Sequence, residues 1–217
     1  MTKLKRDLIS TISMKDIAKL AKSGDKLLTQ EYDATLYHRI LCSSRNDISS
    51  DDFIEPIYEM LIAFKMNSRG AKLSKLPDFK KLIKKHADTI GSLYKVKLEK
   101  VKATDDALID TIGSLFCNLD GLTQTNSTLV TFSKTMHFLL PDLFMPIDRR
   151  YTLRFFYESP PINQKQCFLQ VFEQFRQFAQ EHHEILKAQV DKTSRWNRNI
   201  PKVIDNIIIA YVSERME

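Results

Sequence analysis

The stretch NQKQCFLQVFEQFRQFAQEHHEILKAQV, Asn163 to Val190, decides the fold class. Phe168, Val171, Phe172, Phe175, Phe178, Ala179, His182 and Ile185 recur at steps of three and four, the spacing of one helix face. A strand would need apolar residues at every second position, and the stretch has no such alternation. Asn163 stands where a helix N-cap belongs. A helix from Asn163 to about Val190 is therefore expected, with its phenylalanine stripe in the core.

Working outward, the same period recurs on both sides. Asn199 as cap and Pro201 as first residue open a last helix over KVIDNIIIAYV. Towards the N-terminus, Ser13 with Asp16 forms an approximate capping box before MKDIAKLAKSG, which Gly24 is expected to end. TQEYDATLYHRILCSS follows, with Tyr32, Leu36, Ile40 and Leu41 on one face. Ser50 caps DDFIEPIYEMLIAFKM, in which Pro56 is tolerated only near the first turn. Pro77 opens PDFKKLIKKHADTIGSLYKV, and Thr104 caps DDALIDTIGSLFCNL, closed by Gly121. NSTLVTFSKTMHFLL and a short helix from Asp148 to Tyr157 complete the series. The expected fold is all-α, an irregular bundle of about eight to ten helices. It forms one domain over residues 1–217, or two helical lobes of about 1–103 and 104–217.

Composition excludes several classes. Only 5 Gly and 7 Pro in 217 residues argue against a turn-dense β-barrel or sandwich. No apolar run approaches the ~20 residues of a membrane span. The opening MTKLKRDLISTIS lacks the apolar core and cleavage site of a signal peptide. Three widely spaced cysteines, Cys42, Cys117 and Cys167, fit reduced thiols and a cytoplasmic location better than a disulfide frame. There is no Cys-x-x-Cys and no Cys/His cluster, so no metal and no cofactor is expected.

The net charge of +6 is uneven. Between Lys65 and Lys102 stand twelve Lys or Arg against three acids, Asp78, Asp88 and Glu99. Within this segment Lys80, Lys81, Lys84 and Lys85 spread over the outer face of one helix, and NSRGAKLSK makes a basic turn. Such clustering suits phosphate binding, and equally a solvated surface.

TQTNSTLVTFSKTMHFLLPDLFMPIDRR, Thr123 to Arg150, carries the chemistry. A polar turn at Asn126, Ser127 and Thr128 precedes an apolar helix, and a proline-bounded loop then delivers Asp148 to the start of another. Arg149, Arg150 and Arg154 follow it. Asp148 reads as an N-cap and as a candidate catalytic carboxylate, roles that are compatible. His137 reads as a satisfied core histidine, and Lys134 as phosphate-binding or solvent-reaching. Trp196, between Arg195 and Arg198, reads as a base-stacking residue or a core anchor.

This order of elements over residues 119–150, ending on the Ile147–Asp148 step, resembles the helix-hairpin-helix DNA glycosylase superfamily. Ser133, Lys134, His137, Pro141, Leu143, Phe144, Pro146 and Asp148 also resemble a pattern in a group of uncharacterised bacterial proteins, with the second proline offset. The first resemblance implies a DNA partner, bound through phosphates. It makes Asp148 the carboxylate that stabilises a sugar cation once the target base has left the stack. Asn126, Ser127, Thr128, Lys134, Arg149, Arg150, Arg154, Lys80, Lys81, Lys84 and Lys85 would then contact the nucleic acid.

The chain departs from that family in three places. Gly121 is followed by Leu122 and Thr123 rather than completing the family's Gly-x-Gly turn, and Thr125 to Thr128 stand where the family's catalytic lysine would. Arg149, Arg150 and Tyr151 replace the usual sequel to the aspartate. The expectation is a lysine-free, monofunctional glycosylase-like protein or its non-catalytic relative. The alternative is a helical protein-interaction domain. A metal-dependent nuclease lacks the paired carboxylates it would need.

Overall fold

The computed structural model describes residues 3–28, 34–43, 47–67, 71–158, 162–191 and 193–216. Tyr32 of the second expected helix and Ser68 to Gly70 of the basic turn lie outside them. Among the described residues all regular structure is helical, with one isolated bridge between Leu73 and Thr123. None of these helices is long and apolar enough to cross a membrane.

The helices are α1 (Leu8–Thr11), α2 (Met14–Leu27), α3 (Ala34–Cys42), α4 (Asp51–Ala63), α5 (Leu76–Lys85) and α6 (Ala87–Ser92). There follow α7 (Asp106–Asn118), α8 (Thr128–Leu139), α9 (Arg154–Phe156), α10 (Gln164–Glu181), α11 (His183–Gln189) and α12 (Ile200–Arg215). These twelve, among the described residues, exceed the expected number because α1 adds a short unforeseen turn and two long periodic segments break once each. The Asn163 segment pauses at His182, whose ring packs edge-on against Phe178 at 4.6 Å. An unbroken helix of that length would reach about 42 Å. The break instead folds α11 back onto α2. The Pro77 segment pauses likewise at His86.

Several caps fall where expected. Asn163 accepts from the amide of Gln166, and Asn199 from that of Lys202. Asp105, not Thr104, caps α7, because its carboxylate reaches the amide of Leu108 at 3.2 Å. Ser13 stands at the cap of α2 but donates its hydroxyl to Asp16 rather than accepting from the backbone.

The phenylalanine stripe lies in the core. Phe168 meets Phe132 at 5.0 Å and Phe116 at 5.5 Å, and Phe144 packs on Phe168 and Phe172. α12 is buried over an unbroken run, every residue from Ile200 to Ala210. α2 runs along it, and α10 and α11 flank it. Asp25 of α2 ties down the loop before α12 by accepting from the Ser194 hydroxyl and the amides of Trp196 and Asn197. The Asn197 side chain reaches back 176 positions to the carbonyl of Ala21.

Gly24 is inside α2, not at its end. A Cβ there would sit 2.0 Å from the carbonyl oxygen of Asn206. The missing side chain lets the backbones of α2 and α12 touch. In an exposed helix Gly→Ala stabilises by about 1 kcal/mol. Here the sign should reverse: Gly24→Ala should lower unfolding free energy by about 2–3 kcal/mol, the cost of overpacking a filled core. Denaturant titration of the two proteins measures it.

Candidate functional site

α8 presents Ser133, Lys134 and His137 within one turn. Ser133 and His137, four apart, share the buried face, and both bond the loop that follows. The Ser133 hydroxyl accepts from the Ile147 amide at 3.0 Å and donates to the Val130 carbonyl. His137 Nδ1 lies 2.7 Å from the carbonyl oxygen of Phe144. That oxygen can only accept, so Nδ1 carries the proton and Nε2 accepts from the Tyr37 hydroxyl at 3.0 Å. Burial holds the Tyr37 hydroxyl far above its usual range, so it keeps the proton it donates. His137 is thus the satisfied core histidine that its sequence position suggested. Together the two side chains pin the loop Leu140–Ile147 to α8 and fix the step that presents Asp148.

Asp148 is an N-cap. Its Oδ1 accepts from the Tyr151 amide at 2.7 Å. The turn it opens, Arg149–Leu153, is π-helical, with the Leu153 amide on the Asp148 carbonyl at 2.9 Å. Single π turns are uncommon and gather at functional sites. This wide turn sends Arg149, Arg150 and Tyr151 to the same side as Asp148.

That side is an open cavity of about 160 Å³, lined by Asp148, Arg149, Arg150, Tyr151, Ser127 and Lys134, among others. Phe64 and Lys65, just past the end of α4, line it too. Arg149 donates to the buried hydroxyl of Ser127 at 3.1 Å, and Arg150 lies over the ring of Tyr151. Lys134 does not simply reach solvent. It is half-buried beside Asp148, with Nζ 5.1 Å from the centre of the Phe64 ring.

A second, inner chamber of about 60 Å³ shares Phe64, Lys134, Asp148 and Tyr151 with the first. Its other walls include Tyr37, His137, Trp196, Lys202 and Asp205. Trp196 is buried, as a core anchor, yet it also forms this wall. Lys202 Nζ bonds Asp205 Oδ2 at 2.5 Å and Asn206 Oδ1 at 2.7 Å. Asn206 in turn donates to Asn197. Burial raises the Asp205 carboxyl to about 6, against the pull of Lys202, and the nearby Asp148 charge pushes the same way.

Other residues expected at the site stand elsewhere. Arg154 donates to the Met216 carbonyl at 2.7 Å and so caps the end of α12. Asn126 is exposed, and its carbonyl accepts from Gln164, whose side chain also takes the Leu129 amide at the start of α8. Thr128 is the first residue of α8 and lines neither chamber. Lys80 and Lys84 pair with Asp51, at 3.1 and 2.7 Å, and Lys80 also pairs with Glu55. Lys81 and Lys85 are exposed on α5. None of these four lysines lines either chamber.

Lys65, Lys202, Asp205 and Tyr37 were not foreseen as site residues. Lys202, Asp205 and Asn206 had a readable signal, three polar residues at i, i+3 and i+4 in an otherwise apolar helix. Lys65 had none, because its peculiarity is its backbone. Its φ is 58°. Its amide bonds the Ile62 carbonyl and the Met66 amide bonds the Leu61 carbonyl, the pair of bonds of a Schellman helix end. Glycine is the usual residue there.

Two outcomes follow from this geometry. Lys65→Gly should raise unfolding free energy by about 1 kcal/mol, by relieving the left-handed backbone, while stripping a cation from the cavity wall. The Asp205 carboxyl is raised in the folded state, so its contribution is complete below about pH 4 and is lost as pH rises through 6. In that window the unfolded chain gives up the proton and the folded one keeps it. Between pH 4 and 7, unfolding free energies from denaturant titration should therefore move in favour of Asp205→Asn by about 2–3 kcal/mol relative to the wild type.

Comparison with family models, with curated proteins and with solved structures gives no match for this chain.

Proposed function

We propose that the Asp148 cavity is a DNA site. Lys65, Lys134, Arg149 and Arg150 hold backbone phosphates at its mouth, and an extruded nucleotide enters beside the carboxylate. The protein then acts as a glycosylase-like base-excision protein, or as a non-catalytic relative that keeps the grip. The observation that carries this reading is the common cavity: one carboxylate fixed at a helix start and four cationic side chains open onto the same space.

The chemistry fits the residues. Breaking an N-glycosidic bond builds positive charge on the sugar, and a positioned carboxylate stabilises that charge and orients water. Asp148 has one oxygen committed to the Tyr151 amide, which holds it in place. Its remaining lone pairs can face a ligand. A volume of about 160 Å³ is comparable to the ~150 Å³ of an apolar cavity that takes benzene, so a six-membered ring fits. The exposed Lys81 and Lys85 on α5 extend the basic surface beyond the cavity.

A labelled duplex titrated at rising salt tests the grip. Log K should fall linearly with log salt, by about 0.9 per phosphate contacted. Changing Arg149 and Arg150 together to alanine should flatten that slope by about 1.8. Asp148→Asn should abolish release of free base from a damaged duplex while leaving duplex affinity and the folded spectrum in place. Absence of duplex binding at low salt would leave the interaction-domain alternative in its stead. Binding without base release would assign the non-catalytic form.

A further inference from the structure

The inner chamber holds a feature that neither core packing nor the phosphate grip uses. Asp205 is 3% exposed, and among the described residues its Oδ1 has no hydrogen-bond partner. A buried carboxylate oxygen without a donor is costly, because it has lost water and gained nothing. The opposite oxygen is held by Lys202, which fixes the carboxylate plane. Around the chamber stand flat rings: Tyr37 lies 5.1 Å from Trp196, and Phe64 lies 6.5 Å from it. Lys202 sits 5.9 Å from the Trp196 ring centre. The chamber is too small for a whole purine, and Phe64, Lys134, Asp148 and Tyr151 line both it and the larger cavity, so the two spaces adjoin. A planar ring seated in the outer cavity would push only one edge inside.

We propose that this chamber receives the amino-bearing edge of a nucleobase, with Asp205 Oδ1 accepting its N–H bond and Lys202 holding the carboxylate in place. The proposal rests on reading the outer cavity as a nucleotide site, and it names which nucleotides that site prefers. An amino group at the edge supplies the missing donor. A carbonyl at the same position would set one acceptor against another, leaving two buried groups unpaired. Adenine- and cytosine-type bases are therefore favoured over hypoxanthine and uracil.

Trp196 is the chain's one tryptophan, so intrinsic fluorescence reports on this chamber. The experiment titrates the full chain with dAMP, dIMP, dCMP and dUMP, which share the phosphate and differ at the edge. The expected result is that dAMP and dCMP shift the Trp196 emission and bind at least about tenfold more tightly than dIMP and dUMP, the worth of one bond to a charged group. In Asp205→Asn, shown folded by circular dichroism, that preference should collapse to about twofold or less.

Equal affinity of the amino and oxo nucleotides in the wild type overturns the proposal, whatever the variant does. So does the absence of any Trp196 response to all four. The labelled duplex of the preceding section separates the two readings. Salt-dependent duplex binding with no edge preference retains the DNA site and removes the Asp205 contact. An edge preference without duplex binding retains Asp205 as a nucleotide contact and removes the DNA reading.

Discussion

Two side-chain bonds from one helix turn to one loop hold this site together. Ser133 takes the amide of Ile147, and His137 takes the carbonyl of Phe144. Both lie on the buried face of α8, where competing water is excluded and hydrogen bonds are expensive to leave unmade. They turn a proline-bounded loop into a fixed strut, and the strut ends on Asp148. Without them the aspartate would still cap a helix, but nothing would set where that helix begins. Tyr37 extends the same chain of bonds to α3, so the N-terminal part of the protein helps to aim a residue more than a hundred positions away.

Charge is distributed in two layers behind that strut. The outer layer, Lys65, Lys134, Arg149 and Arg150, lines the cavity and is partly wet. The inner layer is the Lys202–Asp205 pair, buried at the chamber wall and tied to Asn206 and Asn197. A buried ion pair is a poor source of stability, since removing two charges from water offsets most of their attraction. An apolar pair would pack α12 at least as well. The Lys202–Asp205 pair therefore interrupts the buried run of α12 without adding to the stability of its core.

Much of the fold was legible from local rules. The phenylalanine period, the asparagine caps of α10 and α12 and the proline starts are short-range signals, and they gave the helices. Gly24 was misread because a glycine near a helix end has two explanations, a stop signal or a close contact, and only the partner helix distinguishes them. The site was legible in part. Asp148, Ser127, Arg149 and Arg150 adjoin in sequence or share one motif. Lys134 has two readings in sequence because its contact with Phe64, at the distant end of α4, leaves no local signal. Lys65 is placed by a left-handed backbone and Tyr37 by a long-range bond, and neither leaves a trace in composition or period.

The close contact between α2 and α12 also governs when this protein can fold. The Asn197 side chain closes on the carbonyl of Ala21 across 176 residues, and α11 and α12, the main packing partners of α2, both come late in the chain, so its apolar face waits until nearly the whole intervening chain exists. On a ribosome adding about 5–20 residues per second, that face waits on the order of ten seconds or more. Loops closed over such separations form late and slow the whole reaction. The seam between α2 and α12 is therefore one that closes late, after both ends of the chain are in place.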